Sequence, residues 1–306
     1  MRQWSSPIAA GMMIAGTIAA LPGASVSAAP ASPIQFAPHR AVYEITLERA
    51  ASGSGVVELA GRMVYEINGS ACEGYTQNMR FVTRIVSQDG SEQLNDLRTS
   101  SWEDDEGRRL RFNSEQYRDA KLVEEAAGDA QRSEAAGPIT VEISRPAPQR
   151  LQVDAANMFP MQHSRALLAA AWQDQRQLVA GLYDGSEKGE KIYHTSAWIG
   201  RRRQSDATAE GVPGLAKLAS WPVSIAYYEP ASIQRDSLPS YELSFRIYEN
   251  GVSTDMVIDY GEFSVRGELK ELTYSARSEC NASAGAQGAA SRSRGSDGVV
   301  SPPNKP

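Results

Sequence analysis

Val57-Glu58-Leu59-Ala60-Gly61-Arg62-Met63-Val64-Tyr65-Glu66-Ile67 decides the fold class. Val57, Leu59, Met63, Tyr65 and Ile67 share one face of an extended chain, and Glu58, Arg62 and Glu66 share the other. That is the period-two pattern of a strand with one buried side. Tyr75, Met79, Phe81 and Ile85 repeat it against Asn78, Arg80 and Arg84. Further runs follow at Ile192 to Ile199, Val223 to Tyr228, Tyr241 to Tyr248, Val252 to Ile258 and Leu269 to Tyr274. Asn68-Gly69, Asp89-Gly90, Asp184-Gly185 and Asn250-Gly251 fall between runs, and such pairs tolerate the positive φ of tight hairpins. The pattern predicts a mainly β protein of about a dozen or more strands, in a large antiparallel meander.

One segment breaks the alternation. His163-Ser164-Arg165-Ala166-Leu167-Leu168-Ala169-Ala170-Ala171-Trp172 has helical composition, and Pro160 is expected to close the extended run before it. Leu167, Leu168, Ala171 and Trp172 form its apolar face. A lone helix among strands is expected to cover the concave side of a curved sheet. Leu167, Leu168 and Trp172, with Trp221, are therefore the candidate apolar surface for a ligand or partner.

Outside this core, three segments differ in composition. Residues 1–28 read as a signal peptide: Arg2 is the one charge, Ile8 to Ala20 is apolar or small, and Val26-Ser27-Ala28 suits a signal peptidase. The other reading is an uncleaved anchor. Asp119 to Gly137, rich in Ala, Glu and Gly, reads as a poorly ordered hairpin end. Residues 281–306 are Ala, Gly, Ser and Pro with almost no large apolar side chain, and read as a disordered tail. Residues 29–280 are then a single β-rich domain.

The net charge of −6 offers no global attraction to nucleic acid, and Arg201-Arg202-Arg203 reads as a solvated hairpin end. His39, His163 and His194 lack metal-ligand spacing. There is no nucleophile elbow, P-loop or dinucleotide fingerprint. Glu103-Asp104-Asp105-Glu106 reads as a solvated turn, and Asp184-Gly185-Ser186-Glu187-Lys188-Gly189 as a hairpin loop. Asn68-Gly69-Ser70 formally fits a glycosylation acceptor but also serves as the turn before Cys72. No catalytic residue, cofactor or metal site is read. Cys72 and Cys280 are the two cysteines. In an exported chain they point to one structural disulfide, the other reading being two separate buried thiols.

Several short motifs stand in a specific order. They are Gly61-Arg62, Tyr65-Glu66, Cys72-Glu73-Gly74-Tyr75, Phe159-Pro160 with His163 and the alanine-rich helix, and Tyr183-Asp184-Gly185-Ser186-Glu187. Trp221-Pro222-Val223, Tyr248-Glu249-Asn250-Gly251 and Asp259-Tyr260-Gly261 complete the series. Over roughly residues 36–280 the chain resembles a periplasmic alphaproteobacterial family, that of cell envelope integrity protein B. The resemblance implies a β-spiral, an open, barrel-like and strongly curved antiparallel sheet carrying one helix. It also implies a disulfide between the positions of Cys72 and Cys280, and a non-enzymatic role in outer-membrane integrity and stress resistance. The implied fold is similar to carriers that hold the acyl chains of lipoproteins. The partners to expect are therefore another periplasmic envelope protein or a lipidic ligand, with no nucleic acid and no integral membrane span.

Overall fold

The computed structural model describes residues 34–134, 137–204, 212, 214–229 and 238–277. The expected signal peptide, the tail 281–306 and Cys280 lie outside the described residues.

The first half is a meander of long strands: β1 (His39–Ala50), β2 (Val56–Ser70), β3 (Gly74–Ser87), β4 (Glu92–Glu103), β5 (Arg109–Arg118), β6 (Lys121–Arg132), β7 (Ile139–Arg145) and β8 (Gln149–Val153). After β9 (Asn157–Met158) and helix α1 (Pro160–Trp172) a second meander follows. It comprises β10 (Gln177–Leu182), β11 (Tyr193–Ile199), β12 (Arg203–Gln204), β13 (Ala219–Tyr228), β14 (Tyr241–Tyr248), β15 (Ser253–Asp259) and β16 (Phe263–Tyr274). All belong to one sheet in the order β8 to β1, then β16 to β13, then β11, β10 and β9, with β12 attached beside β13. Neighbours are antiparallel except β9 and β10. That pair is joined through α1, and a parallel pair requires such a crossover.

The two edges of this sheet are β8 and β9, which are consecutive in the chain. Only Asp154-Ala155-Ala156 separates Val153 from Asn157, so the edges lie within roughly 14 Å of each other. The sheet must therefore curl until it nearly closes into a barrel-like shape. Arg132, buried at the end of β6, fastens this seam. Its guanidinium donates to the carbonyls of Ala155 (2.8 Å), Asn157, Gly107 (3.0 Å) and Gly137 (3.3 Å), and lies over the Phe159 ring.

Helix α1 runs inside the curl. Pro160 does not close an extended run; it opens the helix, where its missing N–H costs nothing. Leu167, Leu168, Ala170 and Ala171 pack on Ala197, Ile199, Trp221 and Val223 of the second meander. The helix has no acidic residue in its first turn. Glu103, the last residue of β4, supplies one. Its two carboxylate oxygens accept the Met161 and Gln162 amides at 2.7 and 2.8 Å. Asp105 accepts Arg165 one turn further on. The expected solvated turn is thus overturned at Glu103, which is only 1% exposed. Burial pushes the Glu103 pKa up to about 8, the two amide hydrogen bonds oppose that rise, and satisfying orphan helix amides explains an acid in the interior.

Three further expectations are corrected. Of the segment 119–137, expected to be poorly ordered, the described residues 119–134 are not a loose end. Asp119 and Ala120, both at positive φ, make the tight turn into β6, and Ala126 and Ala130 are fully packed. Small residues are required there because the Phe112 ring fills the interior between two close backbones. A Cβ on Gly128 or on Gly185 would sit 2.6 or 2.3 Å from that ring. Asn68-Gly69 lies within the β2–β3 ladder, opposite Thr76 and Tyr75, and the turn itself falls at residues 71–73. Val57 is exposed, because a register shift between Val56 and Glu58 breaks the alternation.

Removing the Glu103 carboxyl leaves two buried amides without acceptors. Glu103→Ala is expected to cost about 2–3 kcal/mol in urea denaturation. Glu103→Gln, which keeps an acceptor oxygen, should cost less than half of that loss.

Candidate functional site

Inward-facing side chains of the curled sheet and one side of α1 enclose a chamber of about 310 Å³. Met161 and Leu167 of α1 face Met63 and Ile67 of β2, Ile225 and Tyr227 of β13, Leu243, Phe245 and Ile247 of β14, and Met256 and Ile258 of β15. Alternation puts these residues indoors, but the helix covers only part of the face they form. The space left is in the range of small-ligand cavities, and its methionines are adaptable lining.

Two histidines reach this chamber, and both are structural. His39 Nδ1 lies 2.7 Å from the Ala37 carbonyl, and burial lowers its pKa. His163 Nε2 lies 3.0 Å from Thr195 Oγ1, which itself donates to the Ala180 carbonyl. Burial pushes His163 down to about 4, so its ring is neutral at pH 7. His194 faces solvent. Among the described residues no group of His, Cys, Asp and Glu could hold a metal ion.

Tyr65 and Met79 border both this chamber and a second one of about 440 Å³. The second is hydroxyl-rich, with Thr99, Ser101, Ser114 and Gln116 on its strands and the loop Asp184–Glu187 opposite. That loop is the hairpin connection between β10 and β11, as expected, and it lies over Phe112 to form a wall. Asp184 accepts the Ser186 amide at 2.9 Å, and burial raises its pKa. Tyr193, Tyr227 and Tyr241 form a cluster where the chambers adjoin. Tyr227 and Tyr241 stack at 4.3 Å, and Tyr193 stands edge-on to both.

Of the four residues expected to form an apolar surface, Leu167 lines the first chamber. Leu168 and Trp221 are fully buried in the core beside it. Trp172 is 43% exposed at the far end of α1, packed edge-on against Trp221 at 5.0 Å and capped by Arg202. The lining from β14 and β15 was not singled out from sequence, and alternation alone could have marked it as inward-facing.

A nearly closed antiparallel sheet with one helix inside it has counterparts. The EipB-like family model matches residues 30–276. The chain belongs to the EipB-like family. Within it, the chain is 38% identical over 251 residues to the cell envelope integrity protein EipB of Brucella abortus, covering 82% of this chain and 88% of that protein. A crystal structure of a β-barrel-like protein of a domain of unknown function, also from Brucella abortus, superposes with a TM-score of 0.74 at 37% identity. It covers 79% of this chain and all of that one. The β-rich fold with one helix, implied by the family resemblance, is the fold observed. Among the described residues no helix is long and apolar enough to cross a membrane.

The neutral His163 has a thermodynamic consequence. The unfolded imidazole takes its proton near 6.5, while the folded one waits until about 4. Between these values the unfolded chain binds more protons, so stability falls as pH drops through the window, by up to about 3 kcal/mol. His163→Gln should lose less stability than wild type between pH 7 and 4.5, measured by urea midpoints at each pH.

Proposed function

We propose that this protein is an exported, non-catalytic factor of the periplasm that supports cell-envelope integrity, including under stress, by enclosing an acyl chain of a lipid or lipidated protein. The observation that carries this reading is the apolar chamber beside α1. It has lining from six strands and one helix face, and its two histidines are already engaged with Ala37 and Thr195. Neither histidine is hydrogen-bonded to a carboxylate among the described residues, which argues against an acid–base or nucleophilic centre. The name of the Brucella abortus relative supports the envelope role. The composition of residues 1–28 supports export, with cleavage near Ala29.

A disulfide between Cys72 and Cys280 belongs to the same proposal. Cys72 lies in the turn after β2, and no described cysteine is a free thiol. The end of β16 lies beside the start of β1, which pairs in turn with β2 near that turn. Beyond β16, Arg277 donates to Gln35 at 2.7 Å and lies close enough to Tyr75 for its charge to oppose the rise in pKa that burial causes there. The backbone three residues before Cys280 thus runs near the strand that follows Cys72. Closing so long a loop would stabilise by roughly 5 kcal/mol at most. Cys72→Ser should lower the melting temperature about as much as reductant lowers that of wild type. Two free thiols counted by mass on unreduced protein would remove the bond.

Native mass spectrometry of protein purified from the periplasm tests the central reading. The expected result is a retained lipidic mass that is released on denaturation and absent from Leu243→Trp, which fills the chamber. Ligand-free protein whose melting temperature does not respond to added alkyl amphiphiles would overturn it.

A further inference from the structure

The first chamber contains no formally charged side chain, and every formally charged side chain lining the second is acidic: Glu124, Asp184 and Glu187. Resting on the reading of the interior as an acyl site, we propose that the amphiphile held here carries a cationic, amine-bearing head group. Its chain would occupy the first chamber and its head the second.

The neighbouring cations are turned to other work. Lys191 is held between Glu187 and Glu229 at 2.9 and 2.7 Å, so Glu187 is already matched. Arg145, which touches Asn113, is shared with Glu115 and Glu125. Asp184 and Glu124 have no cationic partner among the described residues. Asp184 is half-buried on the chamber wall, where a carboxylate without a counter-ion is costly. An ammonium group there would be matched by both acids, whereas a phosphate or carboxylate would be repelled by both. Beside them the Gln77 side chain accepts Tyr65 Oη through its oxygen, while its buried amide nitrogen finds no partner. That donor fits a carbonyl linking chain to head. The aromatic faces of Tyr193 and Tyr241 on the same wall add the surface that alkylammonium groups prefer.

The test is calorimetric titration of the purified protein with decyltrimethylammonium, decyl maltoside and decanoate, each below its micellar concentration. The expected order is the ammonium tightest and decanoate weakest, with about a tenfold gap or more between them. Asp184→Asn and, separately, the half-buried Glu124→Gln should narrow that gap to about threefold or less. Glu124→Gln keeps the test decisive if Asp184→Asn fails to fold. Decanoate binding as tightly as the ammonium would overturn the head-group inference while leaving the acyl site standing. An unchanged gap in Glu124→Gln and in a folded Asp184→Asn would overturn the role of these acids. Saturable binding by none of the three would overturn the acyl site itself, and the head-group inference with it.

Discussion

Everything in this molecule depends on bringing β8 and β9 together across Asp154-Ala155-Ala156. A sixteen-stranded open sheet would expose two unpaired edges and an unsupported inner face. The short link removes that option, and Arg132 makes the closed arrangement specific by reaching carbonyls within the link, at the start of β9, in the β4–β5 turn and before β7. Its charge is buried, so its donors need partners, and four backbone acceptors converge on its five N–H groups. Burial lowers the Arg132 pKa, while the nearby Glu103 carboxylate acts in the opposite sense.

The helix is the second half of the same solution. Curling produces an inner face that one element must cover, and α1 is delivered there directly by the seam strand β9. Its first turn is held by Glu103 at the end of β4 and its second by Asp105 in the turn after it, and its body rests on β11 and β13. Thirteen residues cannot fill a curl of this size. The core is therefore dense beside Leu168 and Trp221 and hollow beside Leu167 and Leu243. The cavity is a by-product of covering a wide sheet with a short helix, and sequence has decorated the two parts of it differently.

How much of this is legible in the sequence follows from the range of the interactions involved. Alternation is local, so strands such as Tyr241–Tyr248 and the sheet class can be read residue by residue, and so can the apolar face of α1. Glu103 shows the limit. Within its own segment of acids it reads as solvated, and only the distant amides of Met161 and Gln162 make its burial favourable. The small residues of β6 mislead for a similar reason: they suit disorder by composition, and only the Phe112 ring explains why nothing larger fits at Gly128. Likewise Leu243 and Met256 can be assigned an inward face, but whether an inward face is packed or hollow depends on what lies opposite. The short motifs capture the family because they record such long-range needs without stating them.

The pairing of β1 with β16 has a consequence for the order in which the molecule can be made. Strands β2 to β8 each find their next neighbour as the chain lengthens, but one side of β1 stays open until β16 exists, more than two hundred residues later. Folding of this kind is dominated by a contact of great sequence separation, which slows the final step. Until that step the nascent chain displays β1 as a bare edge along most of its length. A chaperone that shields one strand for the duration of synthesis would suit this topology better than one that binds collapsed globules.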